Sequence, residues 1–414
     1  MPPSTAPSSA GAIEPTNNVM NKVADKETSL FQICILLRQR LMAVPGFDLF
    51  LHQEEEAADA DVDIVTLLWR TFRNGRPLVA LYDTLRPDQP IKVDVSKYNP
   101  AKQGKALTSS FLRYCINELR FTVDDCFIIY DLYGDDTTGF VKVTKMVSKL
   151  LDLMLQRGLI EDVKPDEASA SAAIKRSQRQ HIVHELVSTE RTYVQHLEIL
   201  QAFKQLCDSK GVITGDVSHR IFHNLDNLLN VQRRFLIRVE QINAQPEEEQ
   251  NWGKVFIFFN DAFAVYEPYI ANQKLCEETV VREFGKLKDA GGSLEMRQMV
   301  DSAQTLYGFL MKPFQRLTKY PLLLDVCTSC RFSHVPNANR TSNSITKAIS
   351  MKSGKRTCLR VKNVLLMCLL ARTLQLRTRT NSKPSRSSRV VWKIGKVIAS
   401  KVSEACSSLA LIRF

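Results

Sequence analysis

The stretch HELVSTERTYVQHLEIL, residues 184–200, decides how this chain is read. It is the middle of a long amphipathic pattern, roughly 176–207, that carries Ile182, Leu186, Tyr193, Leu197 and Leu200. Three- and four-residue spacing lines one face of an α-helix. Glu190 falls inside that stripe, with Leu186, Val187, Tyr193 and Val194 as its helical neighbours. A carboxylate there loses hydration unless a donor faces it. The residues alone leave two readings open. Glu190 is a stripe-edge side chain with its head in water, or paired with Arg191 or a neighbouring helix; or it is an exposed carboxylate kept for a partner.

Working outward, two further helical patterns follow. Residues 217–242 carry Phe222, Leu225, Leu229, Leu236 and Val239, and residues 250–270 carry Trp252, Phe256, Phe259, Phe263 and Tyr266. Each is expected to be one helix. FLMKPFQRLTKYPLLLD, residues 309–325, is the last patterned element. Its Lys312, Arg316 and Lys319 are spaced four and three, hence one basic ridge, which as a bland reading is a solvated face. Pro313 and Pro321 would each cost about 3 kcal/mol inside a helix, so this segment is expected to be kinked. Towards the N-terminus, Leu30, Cys34, Leu37 and Leu41 share a face, and DIVTLLWRTFRNGRPLVALYDTLRP (63–87) repeats the pattern with Asn74-Gly75 between helices. Strand signals are weak throughout.

The fold expected is therefore all-α. Residues 1–27, rich in Pro, Ser and Ala, read as disordered. A helical domain spans 28–160, and the polar, Ala/Ser-rich 161–177 reads as a linker. An elongated bundle covers 178–325 and an irregular basic tail 326–414.

Charge separates the tail from the rest. The sequence has 56 Lys+Arg, 44 Asp+Glu and a net charge of +12. Residues 326–414 hold 18 of the basic residues and one acid, Glu404, leaving residues 1–325 at net −5. The basic balance is no sign that the whole protein binds nucleic acid. The first 25 residues lack the apolar core of a signal peptide. VLLMCLLA (364–371) is too short to span a bilayer. The ten scattered cysteines read as reduced thiols of a cytosolic protein.

No catalytic constellation stands out, and no cofactor or metal is expected. Cys327 and Cys330 form one CxxC without a second zinc-spaced pair. DLYGDDTTGFVK (131–142) faintly resembles a calcium loop, but Asp136 stands where the turn needs Gly and Lys142 where the closing Glu belongs. A helix–turn–helix junction is the better reading.

Three segments carry a resemblance. HELVSTERTYVQHLEIL, FNDAFAVYEPYIANQ (259–273) and FLMKPFQRLTKYPLLL resemble, in order and spacing, the three conserved regions of the Dbl homology domain. LLWRTFRNGRPLVALYDTLRP (67–87) and FIIYDLY (127–133) are similar to a calponin homology domain. The pair in this order resembles the fungal polarity exchange factors. The resemblance implies a guanine nucleotide exchange factor that releases GDP from a Rho-family small GTPase without covalent chemistry. It implies that Glu190 engages switch I and that Lys319 works on switch II and the magnesium site, with Gln315 and Arg316 in support. It also implies polarity scaffold partners, peripheral membrane contact, no nucleic acid, and a cytoplasmic protein recruited to the cell cortex, with a nuclear pool.

After Asp325 the resemblance stops. Permitted codons for the C-terminal residues, read from the third base, give a sequence similar to the junction into a pleckstrin homology domain. Residues beyond about 325 are thus expected to be an out-of-frame translation, so that the protein is truncated or frameshifted towards its C-terminus. The alternative is a genuine basic tail for anionic membrane or nucleic acid. A bundle missing its last helix is expected to leave Leu317, Leu322 and Leu324 uncovered and to exchange poorly, and the alternative function is a non-catalytic scaffold that binds partners without exchange.

Overall fold

In the computed structural model the described residues are 19, 22–25, 28–59, 61–161 and 177–320. Among them the secondary structure is helical throughout, and no helix is long and apolar enough to cross a membrane.

The N-terminal unit is built from α1 (Leu30–Met42), α2 (Asp48–Ala57), α3 (Ile64–Arg73), α4 (Arg76–Leu85), α5 (Pro100–Asn117), α6 (Ile129–Tyr133) and α7 (Thr137–Gln156). Local chemistry sets the boundaries. Ser29 and Asp63 cap α1 and α3 by accepting from Gln32 N and Thr66 N. Gly75 takes φ +81 between α3 and α4, and a Cβ there would meet the Gly104 carbonyl at 2.5 Å. The Asn74-Gly75 punctuation is thus a turn that lets α5 approach closely. Trp69 stacks on Phe140 at 4.6 Å and donates Nε1–H to the Leu132 carbonyl at 2.7 Å. The faint calcium loop is the α6–α7 junction. Asp131 accepts from Ile128 N at 2.8 Å and pairs with Lys142 at 3.2 Å, while Asp136 caps α7.

The bundle begins with α8 (Gln178–Ser209), 32 residues and about 48 Å long. It runs antiparallel to α10 (Leu225–Asn243), as the pairs Arg191–Glu240 and Lys204–Asp226 show. The single helix expected over 217–242 is two. α9 (Gly215–Phe222) stops at His223, whose φ of +47 no helix tolerates, and Asn224 turns to donate to the Val265 carbonyl at 2.9 Å. Likewise 250–270 divides into α11 (Trp252–Phe258), a 3-10 turn and α12 (Tyr266–Ala271). The aromatic residues that suggested one long helix instead converge, with Phe256, Phe259 and Phe263 all packing on Phe235. α13 (Gln273–Lys288), α14 (Leu294–Met299) and α15 (Ala303–Leu310) complete the bundle. The helix breaks at Met311 and resumes over 312–320, so Pro313 lies in a first turn, where its missing N–H costs little.

Leu317, expected to be uncovered, is 1% exposed within the bundle core. Part of the N-terminal stretch expected to be disordered is packed as well. Val19 is 2% exposed; its N–H donates to Gln298 Oε1 at 3.0 Å, and its carbonyl accepts from His196 Nε2 at 3.1 Å. The basic tail, Cys327, Cys330, Pro321, Leu322, Leu324 and nearly all of the 161–177 linker lie outside the described residues.

Candidate functional site

Glu190 follows its neighbours into the core. It is 0% exposed, because Leu186, Val187, Tyr193, Val194 and Leu197 around it are buried too. The donors its desolvation requires come from two distant segments. Arg316 Nε and Nη2 donate to Oε2 at 2.8 and 2.5 Å, and Tyr320 OH lies 3.1 Å from both carboxylate oxygens. From α10, Gln232 Nε2 donates to Oε1 and also to Tyr320 OH at 2.8 Å. The network continues from Gln232 Oε1 to Tyr266 OH at 2.6 Å and on to Tyr193 OH at 3.1 Å.

Glu190 and Arg316, both expected to face a partner, are here buried against each other. Glu190 is neither in water nor paired with Arg191; adjacent helix residues do not face each other. Arg191 turns instead to Glu240, at 2.5 Å. Arg316 leaves the supposed ridge entirely. It is 5% exposed, and its remaining protons go to Thr189 Oγ1 at 2.8 Å and the Leu186 carbonyl at 3.3 Å. Burial disfavours its charge, but the Glu190 carboxylate outweighs that and holds the guanidinium above its ordinary range. Burial, reinforced by Glu190, pushes the Tyr320 phenol well above its usual value. The cluster is a closed polar core that fixes α8, α10 and residues 312–320 against one another.

The other two expected residues do face outward. Gln315 and Lys319 are exposed on the same turn-and-a-half that buries Arg316 and Tyr320. Lys312 is half-buried, 5.0 Å above the Phe309 ring, and its pKa is lowered by burial and by the nearby Lys319 charge. Residues 303–320 run antiparallel to α8. Phe309 packs edge-on against His196 at 5.2 Å, whereas Arg316 reaches Leu186 and Glu190. Lys319 therefore lies towards the beginning of α8, where Glu185 is exposed. Glu185 was missed in the sequence, although its position relative to the stripe set it apart. It stands one residue before Leu186 and off the face of Tyr193 and Leu197. Glu185, Gln315 and Lys319 are thus exposed polar residues on the two segments that the buried Glu190–Arg316 pair joins. Among the described residues no group of His, Cys, Asp and Glu is arranged to hold a metal ion.

Two domain families match the sequence: the RhoGEF domain over residues 182–351 and CDC24 calponin over 63–151. The first covers α8 to α15 and continues past Asp325; the second covers most of α3 to α7. The Rho guanine nucleotide exchange factor scd1 of Schizosaccharomyces pombe is 28% identical over 325 residues, 73% of this chain and 36% of that protein. Cell division control protein 24 of Saccharomyces cerevisiae is 30% identical over 274 residues, 64% of this chain and 31% of that protein. The protein thus spans about a third of the length of these curated relatives. A solved structure of Vav1 with an allosteric inhibitor overlaps more loosely, with a TM-score of 0.38 and 19% identity over 86% of this chain and 69% of that one.

Proposed function

We propose, from the premise that this protein belongs to the Dbl-family exchange factors of the CDC24 type, that it promotes GDP release from a Rho-family polarity GTPase. The observation that carries the reading is the RhoGEF match laid over a bundle whose matching segments meet in space. α8 and residues 312–320, more than a hundred residues apart, share one buried ion pair, and each carries exposed polar residues, Glu185 on the first and Gln315 and Lys319 on the second. An exchange factor makes no covalent bond. It binds the nucleotide-free GTPase more tightly than the GDP-bound form and so shifts the population between them.

In this reading Lys319 and Gln315 act on the switch II side of the partner, and Glu185 offers the outward carboxylate on α8. Glu190 and Arg316 act from behind, holding the two helices in register. A cytoplasmic protein recruited to the cell cortex, with polarity scaffolds as further partners and only peripheral membrane contact, extends the same family reading. The test is release of a fluorescent GDP analogue from purified, magnesium-loaded Rho-family GTPases. Faster release that saturates as the exchange factor is titrated in is the expected result; no acceleration of any Rho-family member overturns it.

A further inference from the structure

α10 is shared between the two units. One face carries Gln232 into the Glu190 network, while Ile237, 5% exposed, is part of the calponin-like core. Where α1 meets α8 and α10, three side chains form a buried junction. The Ser29 hydroxyl donates to Glu240 Oε2 at 2.7 Å, and Arg191 Nε donates to Glu240 Oε1 at 2.5 Å. The side chains of Arg191 and Glu240 are 12% and 1% exposed. Further along α10, Asn230 accepts from the Thr137 amide at 3.0 Å. Arg233 joins Thr138 to Glu198, at 2.8 Å each. Arg191 is the residue after Glu190, and Glu240 lies two turns beyond Gln232 on the same helix.

We infer that Ser29, Glu240 and Arg191 are positioning residues for exchange. Through them the calponin-like domain holds the turn of α8 that carries Glu190, and with it the exposed Glu185 and Lys319. This rests on the exchange reading above. The mechanism is electrostatic and steric. Glu240 ties α8 to α10 through a buried ion pair, and Ser29 brings the start of α1 onto the same carboxylate. A cavity beside the junction, lined by Ser29, Arg191, Glu198 and Arg233, measures about 10 Å³, at the lower limit for one water. A second negative charge placed here meets Glu240, whose side chain is 1% exposed, with little solvent to screen the pair.

Ser29→Asp isolates that conflict. Asp caps helices as well as Ser does, so α1 keeps its N-cap while the new carboxylate confronts Glu240. Two readouts are taken on the full-length protein. Hydrogen exchange at the Thr137 amide and at α8 residues 188–194 reports whether the domains stay docked, whatever the GTPase does. Exchange kinetics at varied GTPase concentration report the exposed residues. The expected result is loss of protection at both places and a fall in kcat of about tenfold, the equivalent of ~1.4 kcal/mol, with KM nearly unchanged. Adding Glu240→Gln to Ser29→Asp restores one carboxylate to one guanidinium and is expected to recover both readouts.

Unchanged protection in Ser29→Asp overturns the junction itself. Lost protection with normal or faster exchange overturns the positioning role, the faster case making the docked domain a restraint. Failure of the double variant to recover means that Ser29→Asp only unfolds α1. If wild type does not exchange, the functional reading falls, and the protection data still decide whether the junction exists.

Discussion

The two units differ in how much charge they bury and in where its partners come from. In the calponin-like unit the buried polar side chains are mostly satisfied by nearby backbone or by close neighbours. Thr71 donates to Leu67 O, Thr144 to Val141 O, and Asp131 takes Ile128 N and Lys142. The bundle also buries neutral groups that are satisfied locally, as Thr279 donates to Leu275 O, but its buried charged residues Glu190, Arg233, Glu240 and Arg316 find partners far along the sequence. Glu190 meets Arg316 across 126 residues, and Arg191 meets Glu240 across 49. Desolvating such charges offsets much of what their attraction contributes, so ion pairs of this kind are weak evidence for stability. What they do is forbid other packings, since any shift that separates a pair leaves a bare charge in the core. The calponin-like unit is built as a support, and the bundle is built to hold one particular geometry beneath its exposed polar residues.

The most severe way to break that contrast is Arg316→Ala. It strands Glu190 without its cation, and the expected loss is about 3–5 kcal/mol of unfolding free energy, measured by urea denaturation. Glu190→Gln with Arg316→Met removes both charges and is expected to recover most of this loss. If Arg316→Ala proved as mild as a surface change, the pair would not be closed in solution.

Acid probes the next level. His196 is buried between Val19 and Phe309, and its pKa is lowered to about 4, first by burial and then by Lys312. Unfolded, the imidazole titrates near 6.5, so below that pH the unfolded protein takes up a proton that the folded protein refuses. Stability is therefore full above about pH 6.5, falls as pH drops towards 4, and loses up to about 3 kcal/mol over that window. Comparing denaturation of wild type and His196→Gln at pH 7 and pH 4.5 checks this. Equal pH slopes for both would assign the acid sensitivity elsewhere.

Smaller in energy, but decisive for function, are the outward residues. Lys319→Ala and Glu185→Ala are each expected to slow GDP release about tenfold, ~1.4 kcal/mol of partner stabilisation. Their unfolding midpoints are expected to move little, since both side chains are exposed. If Glu185→Ala exchanges normally while Glu190→Gln does not and remains folded, the buried carboxylate reaches the partner after all.

These outcomes also show how far the sequence could be read. The helical character and the span of α8 followed from apolar spacing, and so did the discomfort of Glu190 among Leu186, Val187, Tyr193 and Val194. Its resolution did not, because periodicity says nothing about which distant segment supplies a donor. The 4-3 spacing of Lys312, Arg316 and Lys319 correctly placed them along a helix but could not say which way the helix is turned. Packing rotated Arg316 inward and left Lys319 outside. The break at His223 was invisible because it rests on a positive φ in a residue without glycine's freedom, held by the Asn224–Val265 contact. The aromatic run from Trp252 to Tyr266 gave the right core residues and the wrong element.

The smallest expected effect tests the other half of the contrast. Thr71 is 1% exposed, yet its hydroxyl donates only to Leu67 O, four residues back on α3, at 2.9 Å. That carbonyl lies inside the helix and already accepts from the backbone four residues on. Thr71→Val therefore orphans no buried group, keeps the β-branched shape and changes helix propensity little. The expected change is under about 1 kcal/mol in the urea midpoint, against several for Arg316→Ala, and nothing in exchange rate. A loss of about 2 kcal/mol or more would show that the calponin-like unit also depends on its buried polar contacts, and that it is not merely a support.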